Sequence, residues 1–189
     1  MDKKVTILIR TSNRPILFNR ALASVYSQTY KNIDVIVSYD TENRPDYIPE
    51  DIKTIKVTKQ EGEAFYNLYL NDLKEQVNDG WFFFLDDDDY LQRINSLEFL
   101  VPHLTPITAT MCQFIRKERR KPLTNIIESG KVGLPNIILH HSQKNLAKFD
   151  SAMNADYKFI KSISEQIPVK FVPLVLVETD RRSRGRMYA

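Results

Sequence analysis

The first half of the chain alternates short apolar runs with amphipathic stretches. Val5-Thr6-Ile7-Leu8-Ile9 is rich in β-formers, and the polar residues Arg10 to Arg14 follow it. Pro15 then opens a stretch in which Ile16, Leu17, Ala21, Leu22 and Val25 recur at helical spacing, with Ser12 or Asn13 as candidate cap. Ile33 to Val37 predicts a second strand, ending in Ser38-Tyr39-Asp40. Residues 41–51 read as a loop, and Ile52 to Val57 as a third strand. Glu63 to Val77 predicts a second helix, with Ala64 and Leu68 facing inward and Leu73 as a third candidate. Asn78-Asp79-Gly80 stops it and feeds Trp81-Phe82-Phe83-Phe84-Leu85, an all-apolar run that predicts a strand buried on both faces. Strands alternating with helices predict an α/β fold with a largely parallel sheet.

The second half is less regular. Ser96 to Leu104 predicts a short helix, Thr108 to Ile115 a strand, and Arg116 to Lys121 a solvated basic turn. Asn125 to Leu139 mixes short strands with glycine turns. Ala155 to Gln166 predicts a helix with Tyr157, Ile160, Ile163 and Ile167 as its apolar stripe; Pro168 ends it, and Val169 to Val177 is a last strand.

The apolar run at Trp81 ends abruptly in Asp86-Asp87-Asp88-Asp89. The carboxyl end of a strand is where open α/β sheets place their ligands. Four adjacent carboxylates repel one another unless a cation neutralises them. A divalent metal that prefers oxygen does this, and magnesium or manganese usually brings a phosphate ligand with it. The plain alternative is a solvated acidic turn. Asp40 ends the second strand, so it and the tetrad can share one crevice, and Asp156 opens a helix after Phe149-Asp150-Ser151-Ala152.

Composition narrows the picture. The 189 residues suffice for one sizeable domain, and 42% apolar with 27% charged residues is ordinary for a soluble globular chain. A formal net charge of +3 does not point to nucleic acid, although Arg181, Arg182, Arg184 and Arg186 crowd the C-terminus. The single cysteine, Cys112, excludes an intrachain disulfide and a cysteine-rich metal site, and fits a reducing, cytoplasmic setting. No signal-peptide pattern appears, and no apolar run approaches the ~20 residues of a membrane span. The first half carries neither Gly-x-Gly-x-x-Gly nor Gly-x-x-x-x-Gly-Lys-Ser/Thr, so phosphate recognition falls to metal and polar side chains.

Several segments together resemble the inverting family 2 glycosyltransferases of GT-A fold. Thr6 to Pro15 looks like their opening strand and its Thr-x-Asn-Arg-Pro turn, and Ala21 to Ile33 like their next helix and Gln-Thr-Tyr-x-Asn passage. Val37-Ser38-Tyr39-Asp40 is similar to their Val-x-Asp-Asp, with Tyr39 for the first Asp. Phe84 to Leu91 looks like Phe-Leu-Asp-x-Asp-Asp-x-Leu, the metal-binding DxD segment; Phe149-Asp150-Ser151 and Ala155-Asp156-Tyr157 resemble their Phe-Asp-Glu and Glu-Asp-Tyr. Two departures stand out: Tyr66 replaces an arginine that often helps the nucleotide, and Ala155 replaces the Glu before the base.

The resemblance implies a single nucleotide-diphospho-sugar transferase domain: a Rossmann-like, mostly parallel sheet flanked by helices, with a small mixed second half. Residues 1–91 would bind the nucleotide sugar, residues 92–180 would form the acceptor side, and residues 181–189 are a basic tail. Thr11 and Asp40 would hold the base, with Arg14 among the donor-binding residues. Asp86 and Asp87 would face ribose and pyrophosphate. Asp88, with Asp86, would bind Mn2+ or Mg2+, and Asp156 would be the general base. The donor would be a nucleoside-diphosphate sugar, a UDP-sugar first, and the acceptor a hydroxyl of a glycan, a lipid-linked glycan or a protein glycan.

Each residue also has a plainer role. Asp156 could favour a helix dipole, Asp40 could cap a turn, Asp89 could cap the next segment, and Asp150 reads as a turn residue. His140 and His141 read as structural. The arginine tail could be a solvated terminus, a diphosphate clamp, or a peripheral contact with an anionic membrane. Rival functions are a haloacid-dehalogenase-type phosphotransferase, whose Asp-x-Asp normally lies near the N-terminus, a nucleotidyltransferase, whose glycine-rich loop is missing, and a non-catalytic nucleotide- or sugar-binding module.

Overall fold

A computed structural model of the protein describes residues 3–61 and 63–179. The Arg181–Arg186 tail lies outside them. Among the described residues nine strands, numbered β1 to β9 in chain order, form one sheet with spatial order β3-β2-β1-β4-β8-β6-β9-β5, and β7 pairs with β6. Strands β1 (Val5–Thr11), β2 (Ile33–Tyr39), β3 (Lys53–Lys56) and β4 (Trp81–Asp86) are mutually parallel. The rest is mixed: β5 (Asp89–Leu91), β6 (Ala109–Arg116), β7 (Arg119–Lys121), β8 (Ile137–His140) and β9 (Val169–Thr179). β6 runs parallel to β9, whereas β4–β8, β5–β9, β6–β7 and β6–β8 are antiparallel.

Helices cover both faces. One core joins α1 (Pro15–Tyr26) and α3 (Ser96–Leu100) to Val5, Ile7, Ile9, Phe83 and Leu85. The other joins α2 (Tyr69–Glu75) and α4 (Ala155–Ser164) to Leu8, Phe82, Phe84 and Ile137. The alternation of β4 between the two cores is why its run is apolar throughout. Among the described residues no helix is long and apolar enough to cross a membrane.

Local chemistry revises several boundaries. α1 does start at Pro15, but its cap position is Arg14, with no side-chain capping bond, and Asn13 is spent on a left-handed turn at φ 48°. The expected helix from Glu63 to Val77 is broken: a 3-10 turn spans Phe65–Asn67 before α2. Asn67 is drawn into tertiary bonds there, donating to Ala152 O (3.1 Å) and accepting from Arg10 (3.1 Å). The third strand is shorter than Ile52 to Val57, because Ile52 and Val57 turn inward at its ends. Residues 116–121 are solvated over 117–120, as expected, but they form a hairpin, the end of β6, a two-residue turn and β7, and Arg116 lines a cleft.

Candidate active site

Parallel register aligns the strand ends. Arg10 lies opposite Asp86 across β1 and β4, and Thr11 opposite Tyr39 across β1 and β2. Alternation then separates the acids. Asp86 keeps to the face of Phe82 and Phe84, shared by α2 and α4, whereas Asp87 goes to the face of α1. After the turn Asp89 begins β5, pinned opposite Thr179 of β9.

Two clefts open at this edge. The first, about 440 Å³, is lined by Thr11 to Arg14, Asp40, Lys59, Phe65, Tyr69 and the wall it shares with the second. Tyr69 donates its hydroxyl to Asp40 (3.2 Å). Burial, then the Asp40 charge, pushes that phenol up to about 12. Lys59 sits 5.4 Å above the Phe65 ring. The second cleft, about 260 Å³, gathers Asp89, Arg116, Met153, Asp156 and Thr179 from five separate segments. Arg10, Tyr66, Asp86 and Asp88 line both clefts and form the wall between them. Arg10 locks that wall. Its Nε and Nη2 bond the two oxygens of Asp86 (2.7 and 3.1 Å), and its Nη1 donates to Tyr66 O (3.0 Å) and Asn67 Oδ1. The guanidinium also lies 4.9 Å from the Tyr66 ring.

The acids occupy different environments. Asp87 is fully buried. It accepts from Thr11 Oγ1 (2.8 Å) and Arg14 Nε (2.9 Å), and a second Arg14 nitrogen meets its other oxygen. The expectation has it facing the ribose or pyrophosphate; here it is not among the residues that line either cleft, and strand alternation turns it under the Thr11–Arg14 turn, which it holds. Burial, opposed by Arg14 and Thr11, pushes its pKa up to about 7. Arg14 also reaches Asp88 (3.7 Å), while Arg20 donates to the Asp88 carbonyl (2.6 Å). Asp86, Asp88 and Asp89 each bring a carboxylate oxygen within 4.8 Å of the other two, the geometry of a candidate metal site. Burial, then Asp86 and Asp88, raises Asp89 well above the ordinary carboxylate range. A dication would relieve that repulsion, and three hard oxygens suit Mn2+ or Mg2+.

Asp156 lies in the first turn of α4 and faces the second cleft. Its Oδ2 accepts from Leu134 N (3.3 Å). Burial first, then Asp86, raises its pKa against the pull of Arg10, the Leu134 amide and Arg116. So the structure brings Asp40, Thr11, Arg14, Asp86, Asp88 and Asp156 around two adjoining clefts. Sequence reasoning missed Asp89 as a metal-site member and Arg116 as a cleft residue. Asp150 is a turn residue, accepting from Ala152 N (3.0 Å) and Lys158 Nζ (2.7 Å). His140 pairs with Trp81 at the start of β4, the end of that strand away from the acids, and its ring is 4.1 Å from that of His141.

This is a mixed α/β fold of glycosyltransferase GT-A type. No protein-family model matches the chain. Among solved structures it is similar to S. aureus TarS, with TM-score 0.73 and 12% identity, covering 95% of this chain and 37% of that one. It is also similar to the mannosyltransferase PcManGT of Pyrobaculum calidifontis in complex with GDP-Man and Mn2+, with TM-score 0.69 and 17% identity, covering 98% of this chain and 59% of that one. A stretch of 100 residues is 27% identical to the GalNAc(5)-diNAcBac-PP-undecaprenol beta-1,3-glucosyltransferase of Campylobacter jejuni, covering 47% of this chain. The chain spans about a third of that relative, the matched share being 30%.

Proposed function

We propose that the protein is a metal-dependent, inverting glycosyltransferase of the family 2 type, moving a sugar from a nucleoside-diphosphate donor to a hydroxyl acceptor. One observation carries the reading: Asp86 and Asp88 stand in the wall between a cleft holding Thr11 and Asp40 and a cleft holding Asp156. A donor laid across that wall puts its base in the larger cleft, its diphosphate at the acids and its sugar beside Asp156. The structural neighbours support a nucleotide-sugar donor with a divalent metal, since PcManGT was solved with GDP-Man and Mn2+, and TarS with UDP-GlcNAc. A uridine nucleotide is the first donor to test, and a glycan, lipid-linked glycan or protein glycan the first acceptor.

In this reading Thr11, Arg14 and Asp40 hold the nucleotide. The first two are fixed by Asp87, and Asp40 by Tyr69. Asp86, Asp88 and Asp89 would hold Mn2+ or Mg2+, which supplies electrostatic stabilisation of charge on the departing diphosphate. Arg10 keeps Asp86 aimed and adds positive charge to the wall. Asp156 takes the acceptor hydroxyl's proton, and burial suits it to that task by lifting its proton affinity toward the working pH. One displacement inverts the anomeric carbon, so no second nucleophilic carboxylate is required. The test is a turnover screen over nucleotide sugars with manganese. Sugar release or transfer that disappears in chelator is expected; donor binding with no turnover across the screen would leave a binding module instead.

A further inference from the structure

The β6–β7 hairpin rises from the rim of the Asp156 cleft. Its register pairs Ile115 with Arg120 and Arg116 with Arg119. Opposed residues of an antiparallel pair share a face, so Arg119 stands on the cleft side with Arg116, and Arg120 on the other. Lys117, Arg119 and Arg120 are exposed and meet no acidic partner among the described residues. Of their neighbours, the exposed Glu118 offsets one of these charges without bonding to them, Lys121 donates to Gly130 O (2.9 Å), and Lys131 pairs with Glu128 (2.7 Å). Directly after the hairpin, Leu123 is 74% and Ile126 51% exposed.

Single exposed aliphatics are ordinary. Two within four residues, beside three unpaired cations, form a surface of two chemistries. A polyanion such as nucleic acid would satisfy the cations and leave the aliphatics in water. An anionic bilayer takes both, with phosphates meeting the guanidiniums and the headgroup–acyl boundary receiving the aliphatic groups. The segment departs from the cleft lining at Arg116 and rejoins it at Ser129 and Gly130, and all three line the Asp156 cleft.

We propose that residues 117–126 form a membrane-contact element that seats the protein on an anionic lipid surface with the mouth of the Asp156 cleft beside it. The lipid contact stands apart from the transferase reading. Only its use, bringing a membrane-held acceptor to Asp156, rests on that reading.

Co-sedimentation of the full chain with phosphatidylcholine vesicles, with and without phosphatidylglycerol, tests it. Binding is expected only with the anionic lipid, and it should fall as salt rises. Arg119→Gln with Arg120→Gln should weaken it about 25-fold, from roughly fivefold per basic residue. Leu123→Ser with Ile126→Ser should weaken the part that survives high salt. Gln at Arg181, Arg182, Arg184 and Arg186 should leave the hairpin-dependent part in place. Nucleotide binding, measured separately, should be unchanged in the hairpin variants, so failure here is distinguishable from failure of the transferase reading. Equal binding to neutral vesicles, parent-like binding by both hairpin variants, binding lost only with the tail arginines, or hairpin-dependent binding to RNA without lipid binding would each overturn the proposal.

Discussion

On the Thr11 side of the shared wall, acids are held by donors. Asp40 takes the Tyr69 hydroxyl, and Asp87 takes Thr11 and Arg14. On the Asp156 side, Asp156 has one long amide bond, and Asp89 sits in a cluster of like charge; burial raises the pKa of both, as it does that of Asp87, so it is the partners that differ. The first side is built to keep its shape. In the proposed transferase the second would change charge, by accepting a proton or a cation. A carboxylate is cheap where its partners are preset, and useful chemically where they are not.

The sharpest break of this contrast is Asp156→Asn, which keeps the shape and removes the proton acceptor. Turnover should fall about 10²–10⁴-fold while donor affinity, measured by calorimetry, stays within a factor of two. In the parent the acid limb of the kcat/KM profile should lie above the usual carboxylate range, with activity rising as pH rises through it, because the base works deprotonated. A limb at ordinary carboxylate pH would remove Asp156 from that role.

Arg14→Gln probes the opposite side. It leaves Asp87 buried and unpaired, and urea denaturation should show a loss of about 3–5 kcal/mol. Lys59→Gln, in the same cleft but exposed, should change stability by less than about 0.5 kcal/mol. If the two substitutions cost the same, Asp87 is not what holds the turn.

Asp89→Asn should behave in reverse. An acid with raised folded pKa begins to cost stability as pH climbs past its unfolded value, and costs most above the folded one. The variant should therefore be more stable than the metal-free parent at pH 8, with the gap closing towards pH 4. Manganese should raise the parent's Tm more than the variant's. Thermal scans with manganese and with chelator check both statements. The smallest effect belongs to Tyr69→Phe, which should weaken nucleotide binding by about 0.5–1.5 kcal/mol through a less fixed Asp40.

The legible parts of this molecule are those set by local pattern. The strands from Val5, Ile33 and Trp81 and the proline-started α1 follow from short-range periodicity, and parallel order then delivers Asp40 and the tetrad to one edge. What stayed hidden depends on distant partners. Asp89 looked like a cap because β5 is three residues long and exists by pairing with β9, far along the chain. Arg116 looked solvated because β6 shifts register against β9 between Met111 and Phe114, which upsets the simple alternation that would assign its face. The helix expected from Glu63 breaks because Asn67 bonds to Arg10 and Ala152, a tertiary demand that no propensity encodes.

The shared wall carries a last consequence. Arg10 is tied to Asp86 on one strand and to Tyr66 and Asn67 beyond it, and it lines both clefts, so a ligand that shifts this guanidinium from one cleft alters the lining of the other. Two ligands that lean on one group cannot bind independently. By reciprocity, whatever factor the donor adds to acceptor affinity, the acceptor returns to the donor. If the proposed donor and acceptor both press on Arg10, loosening it should uncouple their binding before it abolishes either.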